Sequence, residues 1–375
     1  MTSAKKFILL LNTMIVTVLS LLLFLSSCPE EPDNYDDSDT TSHDFLWETY
    51  TFGDLASSDL NDVVVVDENN IWAVGEIFVY DPDSSWNGTG IETFNAVHWN
   101  GTEWEYIHIR GSLMNDAGPL YSIWYFDECN IWVTTFGLPI HWDGNEWTLY
   151  HIQNMGIDAS AGYGIWASSP SNIYFVGYKG SIVYYDGKNF RKMESGTDTQ
   201  ITDIWGTGAH HIWATAKSNQ LDDTHPNGYE SVTLFCNGQQ WTRQYESPIG
   251  HTTEKSATEL KGYMNSVWAY KDTVYISSNS GLWKESIKKG KGQLMHGPDN
   301  RLNGYPFLVR GTSYNDVYAF THWGEFLHYN GKTWNRDLSL DGLNVRNASV
   351  TKDMVVTVGD MQFRYIIIAR GHHVK

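Results

Sequence analysis

One short motif recurs along this chain: Asn or Asp, then Gly, two free residues and an aromatic. The copies are Asn100-Gly101-x-x-Trp104, Asp143-Gly144-x-x-Trp147, Asp186-Gly187-x-x-Phe190, Asn237-Gly238-x-x-Trp241 and Asn330-Gly331-x-x-Trp334, their glycines 43, 43, 51 and 93 residues apart. A recurring spacing in this range signals a repeat architecture. Asn-Gly and Asp-Gly between apolar runs mark β-hairpins, because these residues tolerate the positive φ that both central positions of a type I′ turn need. Ala96-Val97-His98-Trp99 before the first turn and Trp104-Glu105-Tyr106-Ile107-His108 after it read as two antiparallel strands, C and D.

A second pair of strands precedes each hairpin. Strand A appears as Tyr121-Ser122-Ile123-Trp124, Gly164-Ile165-Trp166, Asp203-Ile204-Trp205 and Ser266-Val267-Trp268. Strand B appears as Asn70-Ile71-Trp72-Ala73-Val74-Gly75, Asn130-Ile131-Trp132, Asn172-Ile173-Tyr174, His211-Ile212-Trp213 and Asp316-Val317-Tyr318. Four short strands in roughly 40–50 residues make one blade of a β-propeller. The 93-residue gap holds a worn unit through Val267, Val274 and Leu282, and a last unit begins near Val345 but ends before its strand D. Leu46-Trp47-Glu48-Thr49-Tyr50-Thr51 resembles a strand D, so the sequence predicts that it pairs with Tyr365–Ala369 and closes the ring. Units then begin near residues 57, 118, 160, 200, 262, 305 and 342: an all-β, seven-bladed propeller of four-stranded blades.

Residues 1–27 have the form of a leader: Lys5 and Lys6, an apolar stretch from Phe7 to Phe24, and Leu25-Ser26-Ser27 before Cys28. The end of this segment resembles the bacterial lipobox. That resemblance implies cleavage before Cys28, its acylation, and anchoring by several acyl chains in the envelope lipid, with residues 28–44 as an acidic disordered tether and residues 45–375 as the propeller. The alternative is a retained signal anchor, since the apolar stretch just reaches a spanning length. The acidic run after Cys28 resembles the surface-export signal of Bacteroidetes lipoproteins, and Asp39-Thr40-Thr41 resembles an O-glycosylation sequon of that phylum. The blade pattern over residues 46–371 resembles propeller repeats of bacterial secreted and envelope proteins. The implied location is the bacterial cell envelope, at the outer membrane and its surface. Loss of Lys5 and Lys6 with an acid-free leader takes the formal charge from −19 to −21. So acidic a chain is a poor match for nucleic acid.

Fifteen of the 17 tryptophans occupy blade positions, so packing between radiating sheets accounts for them before ligand binding does. His98, His141 and His328 share one repeat slot, which spreads them around the ring; His210-His211 sits in an A–B turn and His372-His373 in the tail. No metal and no cofactor is expected from them. Cys129 and Cys236 fall on different blades, too far apart for a disulfide. No nucleophile elbow or phosphate-binding loop is present. The sialidase Asp-box has a different order from these Asp-Gly turns.

Loop length points to one face. A–B and C–D turns are short throughout, whereas insertions fall on the D–A/B–C side: Glu76–Thr93, Arg110–Leu120, Lys217–Ser231, Ser247–Gly262 and the stretch up to Tyr305. Loops longer than the architecture needs tend to carry function. The candidate ligand-binding residues are therefore Tyr80, Asp81, Asp83, Trp86, Asp222, Asp223, His225, Tyr229, His251, His322 and Trp323. The Asp81–Gly88 stretch offers clustered oxygens but lacks the spacing of an EF-hand calcium loop. The reading is a monomeric, lipid-anchored binding or scaffold protein that engages a glycan or protein through the long-loop face, with no catalytic residue named. The alternative is a polysaccharide-active hydrolase or lyase with carboxylates above the central channel.

Overall fold

The structure, a computed structural model, describes residues 40–54, 57–83, 90–111, 118–218, 230–248, 263–286, 292–296, 305–361 and 365–374. Residues 1–39, which hold the expected leader, Cys28 and most of the expected tether, lie outside the described residues. The compact unit spans Thr40–Lys375.

Seven four-stranded antiparallel sheets follow one another along the chain. Blade 1 is built from Asp59–Asp67, Asn70–Tyr80, Ile91–Trp99 and Trp104–Ile107. Blade 2 has Ser122–Asp127, Asn130–Thr135, Leu138–Trp142 and Trp147–Leu149; blade 3 has Gly164–Ser169, Asn172–Val176, Ile182–Tyr185 and Phe190–Met193. Blade 4 has Ile201–Gly208, His211–Lys217, Glu230–Cys236 and Trp241–Pro248; blade 5, the worn unit, has Met264–Tyr270, Thr273–Ser278, Gly281–Ser286 and Gly292–His296. Blade 6 has Pro306–Ser313, Asp316–Thr321, Glu325–Tyr329 and Trp334–Ser339. Blade 7 takes Leu343–Val350, Met354–Met361 and Tyr365–His373 from the C-terminus and its fourth strand, Phe45–Phe52, from the N-terminal end. Each A strand packs on the A strand of the next blade all the way round, so the A strands line a central channel.

The closing pair runs further than the sequence indicates. Its register extends from Phe52 opposite Ile366 to Phe45 opposite His373. His372 and His373 are therefore strand residues and not a tail. Ordered contacts begin ahead of it too, within the stretch expected to be tether: the Thr41 hydroxyl donates to the Asn315 carbonyl at 2.7 Å.

The core is divided among the junctions between blades. Seven clusters of buried side chains each join two neighbouring sheets, from Trp166, Ile182 and Ile204 between blades 3 and 4 to Leu60, Val356 and Ile368 between blades 7 and 1. This is why each strand alternates apolar residues toward a neighbouring blade and why the repeat is rich in tryptophan. One wide ring spans more of a junction than an aliphatic side chain does.

The recurrent turn differs from the expected type I′ hairpin. The strands close at Trp99 opposite Trp104 and Tyr329 opposite Trp334, which leaves a four-residue loop. Only its glycine has positive φ: +95° at Gly101 and +93° at Gly331. The Asn or Asp instead turns its side chain inward. Asn100 Oδ1 accepts the amides of Thr102 and Glu103, and Asp186 Oδ1 those of Lys188 and Asn189. The glycine is also required by space, because a Cβ on Gly187 would meet Ser171 Cβ, in the A–B turn of the same blade, at 2.8 Å.

Among the described residues no helix is long and apolar enough to cross a membrane. Cys129 and Cys236 are free thiols, the first exposed and the second buried.

Candidate binding site at the channel mouth

The A strands are irregular at one level. Their pairing with strand B slips between Leu60 and Asp62, Ile201 and Asp203, Met264 and Ser266, Pro306 and Leu308, and Val345 and Asn347. Each slip is a β-bulge that frees one residue from the ladder and re-aims its side chain. The freed residues are Asn61, Thr202, Asn265, Phe307 and Arg346. With Tyr121 and Tyr163, which precede strand A in blades 2 and 3, they form a crown of one side chain per blade. The crown lines a cavity of about 350 Å³ at the D–A/B–C end of the channel.

Below the crown a polar layer stitches the blades together. Asp62 Oδ2 accepts the Ser122 hydroxyl at 2.7 Å and the Ile123 amide at 2.9 Å, and Ser122 Oγ accepts the Ile165 amide of blade 3 at 3.2 Å. Asn347 of blade 7 donates to Asp62 Oδ1 at 2.7 Å. On the other side Asp203 Oδ2 accepts the Ser266 hydroxyl and the Val267 amide, and Arg310 reaches both Asp203 oxygens at 2.9 and 3.0 Å. Burial pushes the Asp62 carboxyl up to about 6, against the pull of the Ser122 hydroxyl and the Ile123 and Val63 amides.

The electrostatics of the crown run against the acidity of the chain, since Lys217, Arg310 and Arg346 all line it. Two of these cations are neutralised. Arg310 holds Asp203, and Arg346 Nη2 meets Asp59 at 2.9 Å and Asp360 at 3.2 Å. Lys217, at the end of strand B in blade 4, is different. Its ammonium donates to the Asn265 side-chain carbonyl at 2.7 Å and lies 5.1 Å from the Phe307 ring centre. Among the described residues no carboxylate pairs with it, and burial alone pulls its ammonium down to about 8. A part-buried cation that, among the described residues, is held only by a neutral amide and an aromatic face is a site for an anion.

The residues expected from loop length scatter. Trp86, Asp222, Asp223, His225, Tyr229 and His251 lie outside the described residues. Tyr80 is exposed at the end of strand B in blade 1, its amide donating to Asp54, while Asp81 Oδ1 accepts the Asp83 amide within their own turn. His322 and Trp323 sit in the B–C turn of blade 6, with blade 7 between them and that group. His322 packs on Phe307 at 5.5 Å between ring centres and so borders the crown; among the described residues Nδ1 of its ring has no hydrogen-bond partner. Burial, then Lys217 and Arg346, lower the His322 pKa. Trp323 stacks edge-on to it and projects into solvent, 54% exposed. Loop length does not reveal the crown, because its residues lie in or beside strands. Its signal was an apolar residue, a free residue and a short polar one at the head of strand A: Leu60-Asn61-Asp62, Ile201-Thr202-Asp203, Met264-Asn265-Ser266 and Val345-Arg346-Asn347.

The shared histidine slot also has a clear geometry. His98 stacks on Trp72 and His141 on Trp132, with Nε2 against Asn70 and Asn130 Oδ1 at 3.0 and 2.9 Å. His328 stacks on Tyr318 in the same way, but Asp316 replaces the asparagine.

The chain is similar to the solved structure of YCF48 bound to D1 peptide, with a TM-score of 0.61 and 15% identity, covering 90% of this chain and 98% of that one. It is similar to YCF48 from Cyanidioschyzon merolae at a TM-score of 0.58 and 13% identity, covering 87% and 98%. The computationally designed Ika8 protein follows at 0.50 and 9%, covering 84% and 98%. No family profile and no curated protein matches the chain. At such identities the likeness to the YCF48 structures extends to the fold alone, a β-propeller.

Proposed function

We propose that this protein is a lipid-anchored envelope binding protein that holds a carboxylate-bearing peptide segment at the long-loop mouth of the channel. The observation that carries the reading is Lys217, a part-buried ammonium that no carboxylate among the described residues neutralises, set among the tyrosine, phenylalanine and amide side chains of the crown. A ligand carboxylate would supply the missing charge, the rings would cover apolar side chains and the amides would meet a peptide backbone. That YCF48 has been solved with a bound peptide favours a peptide over a sugar. The hydrolase reading has less support. Asp203 is the only carboxylate among the described residues lining this cavity, and Arg310 occupies both its oxygens.

The test is calorimetric titration of acidic peptides, with amidated peptides and oligouronates as comparison ligands. Lys217→Met is expected to lower affinity for the acidic peptides at least tenfold. It should also raise stability by about 1 kcal/mol, because it removes a part-buried charge that no carboxylate among the described residues pairs with. The folded pKa of Lys217 lies below the ordinary 10.5, so above about 8 the folded chain has released a proton that the unfolded chain keeps. Stability from this group therefore rises with pH between about 8 and 10.5, while affinity for an anion falls over the same window. Equal binding by wild type and Lys217→Met, or selective binding of a neutral glycan, overturns the reading.

Lipid anchoring has its own measurement. The wild-type chain is expected to incorporate labelled palmitate, and the Cys28→Ala chain to lose the label and to keep its leader, seen as a larger mass; a wild-type chain without label, or a Cys28→Ala chain that is still labelled, would refute the anchor.

A further inference from the structure

Closing the ring brings His43 against two side chains of blade 6 that are distant from it in sequence. His43 lies just ahead of the N-terminal strand, His328 in strand C of blade 6 and Asp337 in strand D of blade 6. One ligand atom from each lies within 4.8 Å of the others. His43 Nδ1 and His328 Nδ1 face each other at 3.0 Å, and Asp337 Oδ2 is 3.7 Å from His328 Nδ1.

Each of the three is held from behind through its other polar atom. Asp316 Oδ1 lies 3.0 Å from His328 Nε2. Thr333 Oγ1 lies 3.1 Å from His43 Nε2. The Asn335 amide donates to Asp337 Oδ1 at 2.8 Å. The outer hydrogen bonds thus fix ring and carboxylate orientation and leave Nδ1, Nδ1 and Oδ2 turned toward one another. An imidazole that gives its far N–H to a carboxylate is the usual support of a metal-bound histidine. The repeat provides an internal comparison. In blades 1 and 2 the same histidine slot is backed by a neutral amide, Asn70 or Asn130. In blade 6 it is backed by Asp316, and there the N-terminal segment adds a second histidine. The distance between the facing nitrogens also suits an ion: with Zn–N bonds of about 2.0–2.1 Å, cis nitrogens sit about 2.9–3.4 Å apart.

We propose that His43, His328 and Asp337 bind one divalent transition-metal ion, Zn²⁺ by their two-imidazole, one-carboxylate donor set, and that the ion clasps the N-terminal segment to blade 6. Three protein ligands leave a fourth position for water. Because His43 and the blade 6 ligands converge only when the ring is closed, the ion binds the folded chain over the unfolded one and locks the closure.

The full chain, purified without a polyhistidine tag and stripped with chelator, is titrated with Zn²⁺ by calorimetry and with Co²⁺ by absorption. One ion per chain is expected, with the intense d–d bands of low-coordinate Co²⁺ and a rise in Tm on adding Zn²⁺. His43→Ala and Asp337→Asn should each weaken Zn²⁺ at least tenfold and remove the Tm rise, whereas His98→Ala, in the equivalent slot of blade 1, should leave both unchanged. His43 lies outside the sheets, so its variant keeps the fold, which the Tm in metal-free buffer checks. Absence of a bound ion in the wild type, or Zn²⁺ affinity unchanged in both variants, overturns the site.

Discussion

Replacing Arg310 by methionine is expected to cost about 3–5 kcal/mol of unfolding free energy, measured by urea denaturation. The size follows from what the guanidinium joins. Arg310 belongs to blade 6, yet it bonds both oxygens of Asp203 in blade 4, Ser266 Oγ in blade 5 at 3.0 Å and Asn347 Oδ1 in blade 7 at 3.0 Å. It is 5% exposed. Methionine would fill much of the space but leave the Asp203 carboxylate in the middle of the ring without its cation. Removing one partner of a buried pair costs more than the pair itself contributes, because the remaining charge stays desolvated. The companion variant Asp203→Asn and the double variant decide whether this is the mechanism. The double variant has no stranded charge and should be more stable than the sum of the two singles implies, by about 2 kcal/mol or more. A loss under about 1 kcal/mol for Arg310→Met, or strict additivity, would mean that the polar layer is held by packing and not by this pair.

The fold was legible because its determinants are local and repeated. Asn-Gly or Asp-Gly with an aromatic four residues after the Asn or Asp defines the C–D loop, and the Trp positions mark the faces that meet at blade junctions. The likeness of Trp47-Glu48 to Trp104-Glu105 was enough to assign the closing strand to blade 7. The turn geometry was less legible. Asn-Gly is compatible with a two-residue turn and with a four-residue loop, and the choice falls to the Asn side chain, which captures the two amides that follow. The binding site was obscured for a different reason. Five of its seven crown residues emerge at bulges, where one extra residue in strand A leaves the ladder, and a bulge depends on the pairing partner as much as on its own sequence. Lys217 read as the edge of a loop because nothing in the sequence shows that strand B of blade 4 ends over Phe307 of blade 6. His43 reads as tether for the same kind of reason, since its partner His328 is 285 residues away and meets it only across the closed ring.

Deleting residues through Gly53 is expected to abolish cooperative folding, and a synthetic peptide of residues 40–53 added in trans is expected to restore it. The N-terminal strand is the one piece of the ring supplied from the far end of the chain. Its two faces serve two junctions: Phe45 and Trp47 join the cluster between blades 6 and 7, while Tyr50 and Phe52 join the one between blades 7 and 1. Trp47 also lies so close over Gly371 that any Cβ there would meet its ring at 2.9 Å. Without the strand, the edge from Ile366 to His373 loses its eight paired positions and stands open beside two uncovered apolar junctions. An exposed edge of that length is a template for pairing with another chain, so the truncated protein should aggregate unless a strand is offered to it. The measurements are sedimentation and thermal unfolding by circular dichroism, with and without peptide. A peptide carrying Phe52→Asp should fail to rescue, because Phe52 is 7% exposed and a carboxylate cannot enter the junction with blade 1. A truncated chain that stays monomeric and unfolds cooperatively by itself would show that blade 7 stands on three strands and that closure contributes little to stability.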